Sequence, residues 1–491
     1  MDASESLPLK QRLITTSFLI MFTFSLYYDR SCLDGILVLL EEYFNIGSSR
    51  VASLQTTTSI VSASALFFVF CIGDRVNKRY FVLTTSIIWF TTELLAVFLT
   101  PSMFWMLLIF RALAGACHIT ITTICTTLIT DYFAGKARGR AYVIVMVSPL
   151  FGMLFSMPAS SLIIDNNLPW KMAFVPQICV GAISIAVLTM YMPESKIHRK
   201  DPFTFTSLPK DFLEIIKVPT VFILLLSGCL TSFFNRSVLF WNPTMLLYAY
   251  DSFGNTTYLG LSYPAMVSAT SITTFSASLI GIPVMMTMVE GWHYGSHYSC
   301  CKPNVRAIPL CMSLTDLISS VFAAYAFFLL NKNFPAYLIV TFFRTFMAAV
   351  NMAWACQMNM ASMKLAKVRK LFKESTPSYL RTSNTAISQL LATVIDSPAA
   401  QTFAIVAEAF TITDSPVDHF KAFQRTSILF TLITVTGSSI SISLCATYPK
   451  DLKRTHEKDE RLLGETEQLL NNNNTEDELK EMVQRRATFE F

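Results

Sequence analysis

The sequence predicts an all-α membrane protein with twelve transmembrane helices arranged as two six-helix bundles. Three observations predict it. Only 14% of the 491 residues are charged while 53% are hydrophobic, and mean hydropathy is +0.47; a soluble domain carries about a quarter charged residues. The chain divides into twelve apolar segments, each reaching the roughly 20 residues that a spanning helix needs. Cationic and cation-poor loops alternate between them, with one long polar loop in the middle.

The segments are residues 13–40, 51–73, 80–100, 103–130, 141–164, 172–192, 218–248, 258–289, 307–330, 334–363, 380–413 and 422–447. Several exceed the minimum length, which implies tilt or protrusion from the bilayer. The polar N-terminus, residues 1–12, is not followed by a short apolar region with a small-residue cleavage site, so the first segment reads as an uncleaved anchor. The loops after the even-numbered segments hold Arg75, Lys78 and Arg79; Lys136 and Arg138; Lys196, Arg199, Lys200, Lys210 and Lys217; Lys302 and Arg306; and five cations from Lys364 to Lys373. The opposite loops, such as TPSMF and AYDSFGNTT, are short and cation-poor. Positive loops stay cytosolic, so both termini are expected in the cytosol. Residues 13–192 then form the N-terminal bundle, 193–217 a cytosolic linker, 218–447 the C-terminal bundle and 448–491 a charged cytosolic tail. The sequon Asn255-Thr256-Thr257 falls on the far side, where glycosylation occurs.

The eleven cysteines are scattered through apolar segments and form neither a disulfide framework nor a zinc pattern. His293, His297, Cys300 and Cys301 cluster after segment eight. A metal site is one reading; a cytosolic cysteine pair, palmitoylated or unmodified, is the favoured one. No cofactor, resident metal or nucleic-acid partner is expected. No nucleophile or metal-ligand constellation lies at membrane depth, which argues against an enzyme.

The informative residues are the charges inside the spans. The stretch SLYYDRSCLDG, residues 25–35, places Asp29, Arg30 and Asp34 in an apolar run. A charge at the centre of a span costs about 2.5–3.5 kcal/mol and usually faces a partner or an aqueous cavity. At about 1.5 Å per residue, Asp29, Arg30, Arg236 and Asp396 lie about 24–27 Å from their cytosolic span ends, with Arg111 near 28 Å and His118 near 18 Å. These depths form one layer, as a substrate site at the interface of two repeats would. Arg111 and His118 are seven residues apart and share a helix face, with Gly115 between them. Gln389 and Asp396 have the same spacing.

Asp29, His118 and Asp396 are therefore candidates for proton coupling or charge balance. Arg30, Arg111 and Arg236 are candidate anchors for an anionic head group such as a phosphate, which guanidinium binds well. Phe240 and Trp241, with Phe233 and Phe234, would give an apolar wall for a lipid tail. The plainer alternatives stay open: Asp29–Arg30 as a structural pair, Arg236 as the neutralising partner of Asp396, and His118 as a hydrogen-bonded interior histidine. Asp34 lies nearer the far surface and is expected to be solvated. Glu93, Asp316 and Arg344 also lie in spans and are expected only to pack or pair helices.

Gly73, Asp74, Arg75 and Arg79, in the run GDRVNKR between segments two and three, suit a cytoplasmic gating loop. The run resembles the loop signature of the major facilitator superfamily; the matching loop after segment eight, EGWHYGSHYSCCKPNVR, lacks it. Arg111-Ala112-Leu113-Ala114-Gly115 resembles that superfamily's fourth-helix Arg motif, with Asp131 and Arg138-Gly139-Arg140 following. The run from Tyr27 to Thr56, YYDRSCLDGILVLLEEYFNIGSSRVASLQT, is further similar to the Spinster family of lipid transporters. RSVLFWNPTML, NMAWACQMN and SYLRTSNTAISQLLATVIDSP agree in order, so the resemblance covers most of residues 10–445.

The resemblance implies alternating-access transport of a lysophospholipid or sphingolipid type of substrate. It leaves proton coupling open, because the family's Glu seven residues after the fourth-helix Arg is His118 here. A generic organic-anion carrier and a transport-inactive receptor or scaffold are the alternatives. In the tail, Glu465-Thr466-Glu467-Gln468-Leu469-Leu470 fits the acidic dileucine pattern read by sorting adaptors, against a plain amphipathic turn. With Glu465, Leu469 and Leu470 as an adaptor signal, late endosome or lysosome is favoured over plasma membrane.

Overall fold

A computed structural model of the chain describes residues 8–73, 76–132, 135–193, 219–252, 261–288, 306–330, 332–349, 390, 393–395, 397–413, 415–451 and 453. Among these residues the fold is helical, without strands. The first half holds α1 (Leu9–Gly35), α2 (Leu37–Phe44), α3 (Ser48–Ile72), α4 (Lys78–Ala96), α5 (Phe104–Tyr132), α6 (Gly135–Asp165), a short 3-10 turn (Trp170–Phe174) and α7 (Val175–Tyr191). The second half holds α8 (Pro219–Ser252), α9 (Tyr263–Met288), α10 (Ala307–Leu329), α11 (Phe334–Ala349), α12 (Ala399–Phe410) and α13 (Pro416–Ile442). Six described stretches are long and apolar enough to cross a bilayer: Ser48–Val69, Phe104–Cys125, Trp170–Tyr191, Phe222–Ser252, Pro309–Leu329 and Pro416–Asp451.

The many serines and threonines in these helices do not break them. Thr16, Thr23, Ser86, Thr123, Ser184 and Thr426 each donate to the carbonyl four residues back, at 2.7–2.9 Å. The hydroxyl is thereby satisfied without water, inside the helix that carries it. The helix ends follow local chemistry. Asn77 Oδ1 accepts from the Arg79 N–H at 3.1 Å to start α4. Ser415 Oγ accepts from the Asp418 N–H at 3.2 Å, with Pro416 at the first helical position, to start α13.

Two of the expected spans are corrected in detail. The first is not one helix: it breaks at Ile36 (φ −111°, ψ 16°), so α1 and α2 are separate. The twelfth starts at Pro416 rather than residue 422, because a capped helix begins in the polar stretch VDHFK that hydropathy places outside the membrane. Hydropathy reports where lipid lies, whereas helix length is set by backbone hydrogen bonds and caps.

α1 packs on α6 and α7, α3 on α5, and α4 on α5 and α7; in the second half α13 packs on α8, α10 and α12. The halves meet through α6 with α9, α3 with α12, and α1 with α8. An apolar cluster crosses the junction, bringing Leu40, Phe44 and Val51 together with Trp241, Phe403 and Ala407. α6 meets the backbone of α1 at Gly152, where a Cβ would sit 2.9 Å from the Phe24 carbonyl oxygen and the Tyr28 nitrogen.

That contact gives a paired test of helix packing. Gly152→Leu should force α1 and α6 apart, lowering the thermal midpoint and the monodisperse yield in detergent. Gly228→Leu, where nothing lies within 4 Å, should leave both near the parent values.

Candidate functional site

Four helices of the first half converge on one guanidinium. Arg111 on α5 forks onto Asp29 on α1, with Nη1 at 2.8 Å from Oδ1 and Nη2 at 2.9 Å from Oδ2. The same Nη1 donates to Glu93 on α4, at 2.9 Å to Oε1 and 2.8 Å to Oε2. Gln177 on α7 bridges the two acids, its Nε2 lying 2.6 Å from Asp29 Oδ1 and 3.1 Å from Glu93 Oε2. All four residues are at most 5% exposed. The Phe174 ring covers the other side of the guanidinium, 5.6 Å from Cζ.

The sequence builds this cluster through helix spacing. Glu93 lies one turn after Trp89 on α4, and Gln177 one turn before Gly181 on α7. A Cβ at Gly181 would meet the Trp89 ring at 2.7 Å, so the missing side chain lets α4 and α7 close enough for Gln177 to reach Glu93. Ser25 Oγ ties α1 to the same place by donating to the Gln177 carbonyl at 2.8 Å.

A second set of groups surrounds it. His118 lies two turns from Arg111 on α5, 8% exposed, with its ring edge-on to Tyr27 at 4.8 Å and Nε2 buried without a hydrogen-bond partner. Arg30 is half-buried on α1, within electrostatic reach of Tyr27, Asp34 and His118. Arg236 on α8 crosses to the first half. With the Gln55 amide oriented by its partners, Oε1 accepts from Arg236 Nε and Nη2, both at 2.9 Å, and from Ser59 Oγ at 3.1 Å.

The remaining expected residues fall as follows. Asp29 pairs with Arg111. Arg111 is committed to two carboxylates. Phe240 and Trp241 are 2% and 0% exposed; Trp241 donates from Nε1 to the Ala400 carbonyl at 3.0 Å and packs on Phe403 and Phe423, which makes this pair core. Asp34, expected to be solvated, is instead 8% exposed, because α6 packs tightly over Gly35 at Ser160. Gly73 is buried at the end of α3, and Arg79 Nη2 donates to the Thr189 carbonyl near the end of α7 at 2.9 Å. Asp74, Arg75, Asp396, Asn255, the His293–Cys301 cluster and the Glu465, Leu469 and Leu470 signal lie outside the described residues.

Sequence reasoning gave Glu93 and Asp316 no role beyond packing or pairing helices, and gave Gln177 none. Asp316 on α10 accepts from Thr231 Oγ1 at 2.9 Å and Ser438 Oγ at 2.8 Å, joining three helices of the second half. A carboxyl inside an apolar segment was the available signal for Glu93 and Asp316; for a neutral glutamine there was none.

Residues 19–369 match the family model described as Major Facilitator Superfamily. The chain is similar to protein spinster homolog 1 of Rattus norvegicus, 27% identical over 305 residues, which covers 60% of this chain and 56% of that protein. It is also similar to the sphingosine-1-phosphate transporter SPNS2 of Danio rerio, 23% identical over 317 residues, covering 62% and 61%. The chain thus spans less than two thirds of the length of these curated relatives. Among solved structures, it resembles a bacterial homolog to the human lysosomal transporter Spinster in an inward-facing, unoccupied conformation. The TM-score is 0.65 and the identity 14%, over 90% of this chain and 99% of that one. The nucleoside transporter NupG gives a TM-score of 0.60 at 12% identity, over 89% and 99%.

Removing Arg111 leaves two buried carboxylates facing each other. Arg111→Ala should destabilise the protein by about 3–5 kcal/mol, the cost of stranding a buried charge. Adding Asp29→Asn and Glu93→Gln should restore most of that loss; chemical denaturation in detergent reads both.

Proposed function

Because the chain belongs to the Major Facilitator Superfamily, we propose that it is a secondary transporter. It moves an amphipathic lipid of the lysophospholipid or sphingolipid type by alternating access, coupled to protons. The observation that carries the coupling is the charge count at Arg111. Two carboxylates share one guanidinium in a site at most 5% exposed, and the two carboxyl groups are themselves in hydrogen-bond contact. The cluster is neutral only with one proton held between Asp29 and Glu93. An uncompensated buried charge is costly, so arrival or loss of that proton shifts how α1, α4, α5 and α7 pack.

His118 remains a proton-coupling residue in this proposal, two turns along the same helix face, and Asp396 a charge-balancing one. The loop at Gly73, Asp74, Arg75 and Arg79 acts as the cytosolic gate. The substrate class is supported by two arginines on different halves. Arg30 is half-buried beside the cluster, and the hydrogen bonds of Arg236 to Gln55 use a neutral amide rather than a carboxylate. A phosphate arriving between them meets two guanidinium donors. Arg111 is withdrawn as a head-group anchor, since binding there would break two ion pairs. Phe240 and Trp241 are withdrawn as a tail wall, since their surfaces are already packed. One relative's name states that it transports sphingosine-1-phosphate, which combines such a phosphate with a long apolar chain. Both termini lie in the cytosol in this reading, and the compartment is late endosome or lysosome, with sorting adaptors at Glu465, Leu469 and Leu470.

Reconstituted vesicles with labelled lysolipid and an imposed pH gradient test the proposal. Asp29→Asn and Glu93→Gln should each lower gradient-driven flux at least about tenfold while lipid exchange continues. Flux indifferent to both would remove the coupling site. Arg30→Ala and Arg236→Ala should raise KM for phosphate-bearing lipid more than for a neutral analogue, and equal effects on the two would sink the head-group assignment. Binding without net flux would instead identify a transport-inactive receptor.

A further inference from the structure

A second group of titratable side chains lies away from the central cluster, at the end of the molecule bearing α2 and the start of α3. There the two halves touch through polar groups. Glu408 on α12 accepts from the Ser49 N–H at 2.9 Å, so an acid of the second half caps the start of a helix of the first. Glu41, on α2, takes a hydrogen bond from Ser48, while its Oε1 is buried without a partner. Facing Glu41 across the junction are Glu408 from α12 and His419 from α13. The His419 ring is stacked on Tyr248 of α8 at 5.1 Å and 17°. The other charged groups nearby in the first half are Glu42 and Arg50, both exposed, and Lys171, whose ammonium lies 5.9 Å from the Tyr43 ring centroid.

We infer that Glu41, Glu408 and His419 form a second proton-binding site, which latches the two halves together at this end of the molecule. Two acids facing each other across a closed junction repel when both are ionised. A proton on Glu41 removes that repulsion and leaves Glu408 free to hold the start of α3. Burial pushes the Glu41 carboxyl up to about 7 and the neighbouring Glu408 charge adds to this, against the Ser48 hydrogen bond and His419. A carboxyl that binds its proton more tightly in the closed state than in water stabilises closure at low pH. That contribution is lost as pH rises toward the raised value. Acid on this side therefore holds this end shut and favours the state open to the opposite side. The inference rests on the family reading only in assuming that the halves separate here. It needs neither a lipid substrate nor the central proton.

The test is double electron–electron resonance on the full chain without substrate. Spin labels go at Asn166→Cys and Ile412→Cys, exposed positions on the two halves at this end, with other label-accessible cysteines replaced by serine. The ratio of short to long distances should fall at least about tenfold from about pH 5 to about pH 8. Glu41→Gln should stay short at both values. A response retained in Glu41→Gln, a short population that grows with pH, or a distance that never moves with pH overturns the inference. If Glu41→Gln fails to reach the membrane, Glu408→Gln should shrink the response, since the Glu408 charge helps hold the proton on Glu41, and an unchanged response there overturns it. In Asp29→Asn the response should persist. Its loss there would assign the pH dependence to the central cluster and remove the latch, whereas failed lipid flux would leave the latch standing.

Discussion

One guanidinium shared by two carboxylates organises the first half of this protein. In a low-dielectric interior, Arg111 cannot be moved away from Asp29 and Glu93 without exposing a charge of one sign or the other. Each acid comes from a different helix, and Gln177 adds a fourth. Relative rotation of any of these helices would therefore break at least one charge-assisted hydrogen bond. Glycine at position 181 and serine at position 25 make the geometry attainable by letting α7 approach α4 and α1.

The contacts between the halves are of a different strength. Among the described residues, Arg236 meets the Gln55 amide, Glu408 caps a backbone N–H, Glu41 faces Glu408 and His419, and an aromatic and aliphatic cluster crosses the junction. Hydrogen bonds of this kind contribute about 0.5–1.5 kcal/mol each, or about 1.5–3 when one partner is charged. Breaking a buried ion pair costs about 3–5 kcal/mol. The second half repeats the pattern with Asp316, whose hydroxyl partners Thr231 and Ser438 lie in its own helices. Among the described residues, the costly polar contacts thus sit within halves and the cheaper ones between them, which suits the alternating access proposed above.

His118 shows how a residue that differs from the related family is reinterpreted by its surroundings. By motif, a histidine at that position removes an acid from the fourth spanning helix and leaves coupling in question. In three dimensions a second acid is present beside Asp29, but it arrives from α4, as Glu93. The histidine is left with an unpartnered buried Nε2 against Tyr27. The second acid at Arg111 comes from another segment, so the fourth spanning helix read by itself does not reveal it.

What the sequence determined by itself was the membrane-spanning helical architecture and its likeness to the major facilitator superfamily. Hydropathy, loop charge and short motifs act over about 20 residues or fewer. It also marked every charged residue of the central cluster as unusual, since an ionisable group in an apolar run is legible without a partner. The tertiary structure decided which of them meet: Arg111 with Asp29 and Glu93, Arg236 with Gln55, and Asp34 in the interior. It also showed Trp241 to be core rather than lining. Pairing depends on the rotation and depth of each helix against its neighbours. Those are fixed by packing across the whole bundle, at close contacts such as Gly152 on Phe24 and Gly181 on Trp89.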